Sequence, residues 1–267
     1  MAAIAKLLII AGSDSGGGAG LQADIKTASA FGVYGATAIT AVTAQNTVGV
    51  QAVHALSPDM VAAQIAAVLD DIAIDAVKIG MLGTVGIVEA TAEALRAFTG
   101  PIVLDPVMVA QSGDPLLDDA AIAAMKDHLL PRATLLTPNL PEAGRLLDRG
   151  TAATPEEMQA QGKGLLALGP GAVLMKGGHA EGETCRDVLV TGAGTRIIEA
   201  PRLPTRNTHG TGCSLASAIA SEMAKGATPE AAVRRAHSWL HAAIAAADRL
   251  DVGQGHGPVH HFHEIWT

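Results

Sequence analysis

Short, continuous apolar runs alternate with longer amphipathic stretches along this chain. Leu7 to Ala11 is apolar throughout, as expected of a strand buried on both faces. Leu21 to Phe31 predicts a helix, and Ala36 to Thr43 is β-rich. Ser57-Pro58-Asp59 opens a second helix that runs to about Leu69, with Ser57 as N-cap and Pro58 in the first helical position. Ala76 to Ile79 predicts a strand and Thr84 to Phe98 a helix. Pro101 to Leu104 is another buried strand, stopped at Asp105-Pro106, and Ala133 to Thr137 repeats the pattern before Pro138. Thr154-Pro155-Glu156-Glu157 is a capping box whose helix ends near Gly169, ahead of a strand at Ala172 to Met175. Val188 to Ala200, broken at Gly192–Gly194, predicts a hairpin. Gly212 to Lys225 and Pro229 to Leu250 predict helices, the second capped by Thr228.

This alternation implies an α/β fold: a mostly parallel central sheet with helices on both faces. With no linker, low-complexity tract or internal repeat, residues 1–267 are expected to form one domain. Ligands of such sheets sit outside the carboxyl ends of the strands. Here the polar and Gly-rich clusters follow Ile10, Thr43, Ile79, Leu104, Leu136 and Met175, all at that rim.

Composition narrows the function classes. Hydrophobic residues make up 49% and aromatics only 2%, so the core is built from small aliphatic side chains. The net charge of −8, with no Lys/Arg block, argues against nucleic acid and anionic membrane as partners. Any phosphate must then be held by local devices. Cys185 and Cys213 lack C-x-x-C spacing, so neither a disulfide framework nor a zinc knuckle is implied, and a reducing cytosol is expected. The apolar N-terminal run ends in a Gly-rich turn without a cleavage pattern. The expected protein is cytoplasmic, soluble and unprocessed.

Four motifs carry candidate chemistry. The loop GSDSGGGAGLQAD, Gly12 to Asp24, lets backbone approach a ligand closely. It lacks a clean G-x-G-x-x-G fingerprint, and a flexible tight turn is the plainer alternative. In TPNLPEA, Asn139 and Glu142 share one side of a helical turn. They suit a hydrated Mg²⁺ on a nucleotide phosphate, or simply form a capping box. In VLMKGGH, Lys176 ends a buried strand before two glycines, where an ammonium can reach a phosphate; an ordinary strand-edge lysine is the alternative. In NTHGTGCSLASAIA, a Gly-rich turn feeds a helix of small residues. The amides of Gly210, Thr211, Gly212 and Cys213 can converge as an anion hole for a transferring phosphoryl group. No G-x-x-x-x-G-K-[ST] occurs, which excludes a P-loop enzyme. Cys213 at the helix start is a candidate lowered-pKa thiol, against the alternative of an inert buried cysteine. Asp105 can orient metal or substrate, or merely end its strand. His260, His261 and His263 lack partners at ligand spacing, so packing is expected of them and no directly bound metal is assigned.

Taken in order, GSDSGGGAGLQAD, AQNTVGV, KIGML, LDPVM, SGDPLL, TPNLPEA, LMKGGH, NTHGTGCSLASA and GPVHHFH resemble the hydroxymethylpyrimidine/phosphomethylpyrimidine kinases of thiamine biosynthesis, in the ribokinase-like superfamily. The resemblance covers nearly the whole chain. It implies ATP as phosphate donor, Mg²⁺, and phosphorylation of 4-amino-5-hydroxymethyl-2-methylpyrimidine to its mono- and then diphosphate. It places the loop from Gly12, including Ala19, with Gln45, Met81 and Val107 around the pyrimidine. Asn139, Glu142 and Asp105 fall on the ATP–Mg²⁺ side, Lys176 on the ATP phosphates, Gly210, Thr211 and Gly212 in the anion hole, and Cys213 as catalytic residue. Many superfamily members carry Asp at that position. The expected partners are the small substrate and a second copy in a homodimer. Three alternatives stay open: a pyridoxal kinase on the same scaffold, a cysteine hydrolase or transferase pairing Cys213 with His209 or His179, and a nucleotide-binding module without catalysis.

Overall fold

In a computed structural model, residues 3–109, 116–178 and 182–266 are described. The SGDPLL motif lies largely outside the described residues, as does His179. The strands are β1 (Lys6–Asp14), β2 (Tyr34–Gln45), β3 (Val50–Ala55), β4 (Ala76–Ile79), β5 (Ile102–Leu104), β6 (Leu135–Leu136), β7 (Ala172–Met175), β8 (Thr184–Thr191) and β9 (Gly194–Pro201). They form one sheet in the order β3-β2-β1-β4-β5-β6-β7-β8-β9. Pairing is parallel from β2 through β7. The antiparallel strand β3 edges one side, and the antiparallel pair β8–β9 edges the other.

The helices are α1 (Gly20–Ala30), α2 (Pro58–Asp71), α3 (Val85–Ala94), α4 (Asp119–His128), α5 (Leu140–Leu146), α6 (Pro155–Leu166), α7 (Thr211–Ala224) and α8 (Pro229–Ala245). The two faces of the sheet feed two cores. Leu7, Ile9, Val103 and Leu174 point to the side covered by α1, α7 and α8, where Leu21, Leu215, Ile219 and Val233 meet them. Leu8, Ile10, Val77 and Leu104 point the other way, onto Ile65, Ile87, Met125 and Leu165 of α2, α3, α4 and α6. Successive residues of one strand serve opposite faces, which explains the unbroken apolar runs. The near-absence of aromatics is met by small residues: α7 buries Ala216, Ala218 and Ala220.

The predicted caps form. Ser57, Thr154 and Thr228 each accept a backbone hydrogen bond at their helix starts. Boundaries moved where packing overrides local pattern. The helix expected to reach Phe98 ends at Ala94. The one expected to reach Leu250 stops at Ala245 and continues as a 3₁₀ turn. Strand β3 and helix α4 had no sequence assignment. β3 is exposed along nearly its full length, so burial imposes no periodicity on it.

Candidate active site

A cleft of about 820 Å³ opens along the carboxyl ends of the parallel strands. It collects every residue assigned from the sequence: Gly12, Ala19, Gln45, Met81, Asp105, Val107, Asn139, Glu142, Lys176 and the run Gly210 to Cys213. Parallel strands joined by crossovers bring these distant segments to one rim.

At one end, Asp14 closes β1 and organises the Gly-rich loop. Its carboxylate accepts from the amides of Gly16, Gly18 and Ala19 at 2.8, 3.1 and 2.9 Å. Nε2 of His209 lies 3.0 Å from the same carboxylate. Burial opposes the charge on Asp14, but His209 and the loop amides outweigh it and hold the carboxyl below its usual range. Because Asp14 accepts only, His209 Nε2 carries the proton. Nε2 of Gln45 stands 3.4 Å from that ring nitrogen, and Oε1 is 3.1 Å from the hydroxyl of Thr43, which also donates to Ser13 O at 2.9 Å. The single hydroxyl hydrogen is claimed by Ser13 and the ring hydrogen points outward. Hydrogen accounting therefore favours the amide turned over, with its carbonyl toward His209. Met81 is fixed by Thr40, whose hydroxyl donates to its carbonyl at 2.7 Å, and it packs against Gly12.

At the middle of the rim the groups are charged. Lys176 Nζ meets Asp105 Oδ1 at 2.7 Å, and Thr137 donates to the same oxygen at 3.1 Å. Burial disfavours the Lys176 ammonium, but Asp105 and Glu142 outweigh it and raise its proton affinity. Asn139 and Glu142 do form the reciprocal capping box of α5, with bonds of 2.8 and 2.7 Å. The structural alternative is thus realised, yet both side chains still face the cleft. Burial lifts the Glu142 carboxyl to about 7, against the pull of Lys176.

The first turn of α7 faces this corner. Gly210 adopts φ of +79°, and a side chain there would collide with the carbonyl of Gly18, so only glycine lets the two Gly-rich segments touch. A Cβ on Gly212 would lie 3.4 Å from Lys176 Nζ and 3.7 Å from Asp105 Oδ2. The Thr211 amide donates to Thr208 O at 3.3 Å, so within this turn it is already engaged by backbone. Cys213 is half-buried, and the expected lowering of its thiol pKa is reversed. Burial pushes it up to about 11, although the Lys78 charge and the Gly20 amide act in the opposite sense. With His209 facing Asp14, the described residues offer Cys213 no cysteine–histidine nucleophile; the other expected partner, His179, lies outside them.

The far end of the cleft was not foreseen. Leu203, Leu240 and Ile244 give it an apolar wall, and Arg202 bonds the carbonyl of Gly178 at 2.8 Å. Asp187 on β8 accepts from the Gly177 amide at 2.8 Å, fixing the turn after Lys176. Asp14 and His209 were the other omissions as binding-end organisers; the Gly-rich motif around each was the available signal. The histidines near the C-terminus pack, as expected: His261 bonds Ser214 at 2.9 Å, and both it and His263 contact the Trp239 ring. Among the described residues, no group of three His, Cys, Asp or Glu is placed to hold a metal. No helix among them is long and apolar enough to cross a membrane.

Comparison with known proteins gives a consistent result. A family model described as phosphomethylpyrimidine kinase matches residues 14–260. A hydroxymethylpyrimidine/phosphomethylpyrimidine kinase of Escherichia coli (strain K12) is 54% identical over 97% of this chain and 98% of its own. An ADP complex of Bacillus subtilis pyridoxal kinase superposes with a TM-score of 0.91 at 36% identity, covering 99% of this chain and 100% of that one. A phosphomethylpyrimidine kinase from Clostridium difficile 630 gives 0.79 at 41% identity, covering 91% and 100%.

Proposed function

This chain belongs to the phosphomethylpyrimidine kinase family, and from that premise we propose that it moves the γ-phosphate of ATP onto 4-amino-5-hydroxymethyl-2-methylpyrimidine and then onto the resulting monophosphate. The observation that carries the site reading is the placement of the Lys176 ammonium against the first turn of α7, beside Asp105. Backbone amides and one fixed cation then surround the point where phosphoryl charge develops.

The substrate ring occupies the end formed by Gly12, Ala19, Gln45, Met81 and Val107. The Gln45 amide offers both a donor and an acceptor to an aminopyrimidine edge. The nucleotide lies across the α7 turn, with its base against Leu203, Leu240 and Ile244. Phosphoryl transfer passes through a loose transition state, so positioning and charge matter more than covalent help. Cys213, held neutral, acts as a hydrogen-bonding and packing group beside the attacking oxygen. Asn139 and Glu142 fit a hydrated Mg²⁺ in outer-sphere fashion: both already bond backbone, and the buried Glu142 gains from a nearby cation. That ion, when bound, neutralises charge on the nucleotide phosphates. The reading includes a homodimer in the cytoplasm, the first of which sedimentation measures.

ATP consumption with the pyrimidine alcohol, its monophosphate and pyridoxal, measured side by side, tests the assignment. Turnover of both pyrimidines is expected, with pyridoxal slower. The closer superposition on a pyridoxal kinase supports the second reading, a pyridoxal kinase. Faster turnover of pyridoxal than of either pyrimidine would establish it instead.

A further inference from the structure

Beneath the cleft floor lies an ion pair that the transfer reading leaves unused. Lys78 on β4 and Asp24 on α1 meet at 2.7 Å with both side chains 0% exposed. Ser217 of α7 donates to the other carboxylate oxygen at 2.7 Å. Ser217 sits four residues beyond Cys213, one helical turn away, so the two share a face of α7. Lys78 reaches upward. A Cβ on Gly80, the residue after β4, would stand 2.8 Å from its ammonium, and the lysine contributes to the cleft lining while Asp24 does not. The pair is therefore a dipole with its positive end toward the cleft and its negative end anchored behind, between α1 and α7. A buried ion pair of this kind is weak support for stability, because desolvation opposes its Coulomb attraction. Burial disfavours the Lys78 ammonium, but Asp24, Cys213 and Asp105 together outweigh it and raise its proton affinity, while burial raises the Asp24 carboxyl against the pull of Lys78 and Ser217.

We propose that Lys78 is a positioning residue for phosphoryl transfer: held by Asp24 and Ser217, it sets a fixed positive charge behind the first turn of α7 and so strengthens the anion-binding amides there. This rests on reading that turn as the phosphoryl site. The charge is oriented before substrate arrives, and no reorganisation is needed when negative charge develops on the transferring group. Lys176 works from the cleft side and Lys78 from the core side of the same turn. The two cations are not interchangeable, since only Lys176 can touch a phosphate.

The test separates a charge from a prop. Lys78→Met/Asp24→Asn and Lys78→Gln/Asp24→Asn both remove the two charges together, one pair largely apolar and the other hydrogen-bonded. Thermal melting reports folding, steady-state kinetics reports kcat and KM, and the pH dependence of Cys213 alkylation reports the local field without substrate. The charged groups facing Cys213 are Lys78, Asp24, Asp105 and Lys176. The expected result is a folded protein with kcat lower by about tenfold or more and KM nearly unchanged. The alkylation midpoint should move upward, because the loss of Lys78 outweighs that of Asp24 at the sulfur. Folded double variants with wild-type kcat would reduce the pair to scaffolding and overturn the proposal, as would failure of both to fold. If Lys176→Ala is also without effect, the error lies in the placement of the phosphoryl site. An unmoved alkylation midpoint places the error in the Lys78 inference.

Discussion

The two ends of the working cleft are built on opposite principles. The end proposed for recognition holds Gln45 among polar neighbours organised by one carboxylate, Asp14, which accepts from three loop amides and pairs with His209. The end proposed for transfer crowds Lys176, Asp105 and Glu142 into a buried corner, where Asp105 and Glu142 raise the proton affinity of Lys176 and Lys176 pulls against the burial that lifts Glu142. Reading a ring edge requires donors and acceptors in fixed places. Stabilising a moving phosphoryl group requires fields.

Lys176→Ala should show this contrast most strongly. Removing the cation from the transfer end is expected to lower kcat by about a hundredfold or more, with little change in KM for the pyrimidine. Rapid-quench kinetics would check it, and near-wild-type turnover would displace the transfer site. Gln45→Leu should do the reverse. An unpaired polar edge in a buried site costs roughly 1–3 kcal/mol, read as weaker pyrimidine binding by calorimetry at fixed nucleotide. Equal affinity in the two proteins would remove Gln45 from recognition.

The ends should also differ in their response to pH. Glu142 has a folded-state pKa near 7, above the ordinary 4.5, so its protonated form is the one folding favours. Its contribution to stability is complete below about 4.5 and is lost as pH rises through 7. Glu142→Gln keeps an acceptor for the Asn139 amide but removes that titration. The variant's melting temperature, relative to wild type, should therefore rise between pH 5 and 8, while kcat falls. A difference that stays flat across that range would place Glu142 outside the buried charge cluster. Asp14, held below its usual range, should leave pyrimidine binding level over the same window.

The smallest effect is expected at the boundary between the ends. With its thiol near 11, Cys213 is not a resting base, so Cys213→Ala should slow the alcohol and monophosphate steps by similar factors. Single-turnover rates for the two substrates provide the comparison. A loss confined to the alcohol step would restore a proton-accepting role.

These same features set what the sequence could convey. Strand-end clusters, the Thr154 capping box and the α7 glycines are local signals, and all fall where expected. The Cys213 thiol departs from expectation because its helix-start position is visible in sequence whereas the burial opposing it is not. Asp14 and His209 lie 195 residues apart and Asp24 and Ser217 lie 193, so neither partner carries a mark of the other. Strand β3 escaped for the opposite reason: it lies at an edge with little burial to impress a pattern.

The segment from Gly257 to His261 braces the α7 turn from beyond the rest of the site in the sequence. Gly257 accepts from the His209 amide and donates to Asn207, Val259 donates back to His209, and His261 holds Ser214 next to Cys213. These residues follow the rest of the site in the sequence and are therefore synthesised after it. During synthesis the sheet and most helices can pair in order, while the α7 turn proposed to bind the phosphoryl group lacks its brace. A nascent chain paused before Gly257 would hold a scaffold around an unlatched α7 turn, so on the proposed reading phosphoryl transfer should begin only after residues 257–261 have been made.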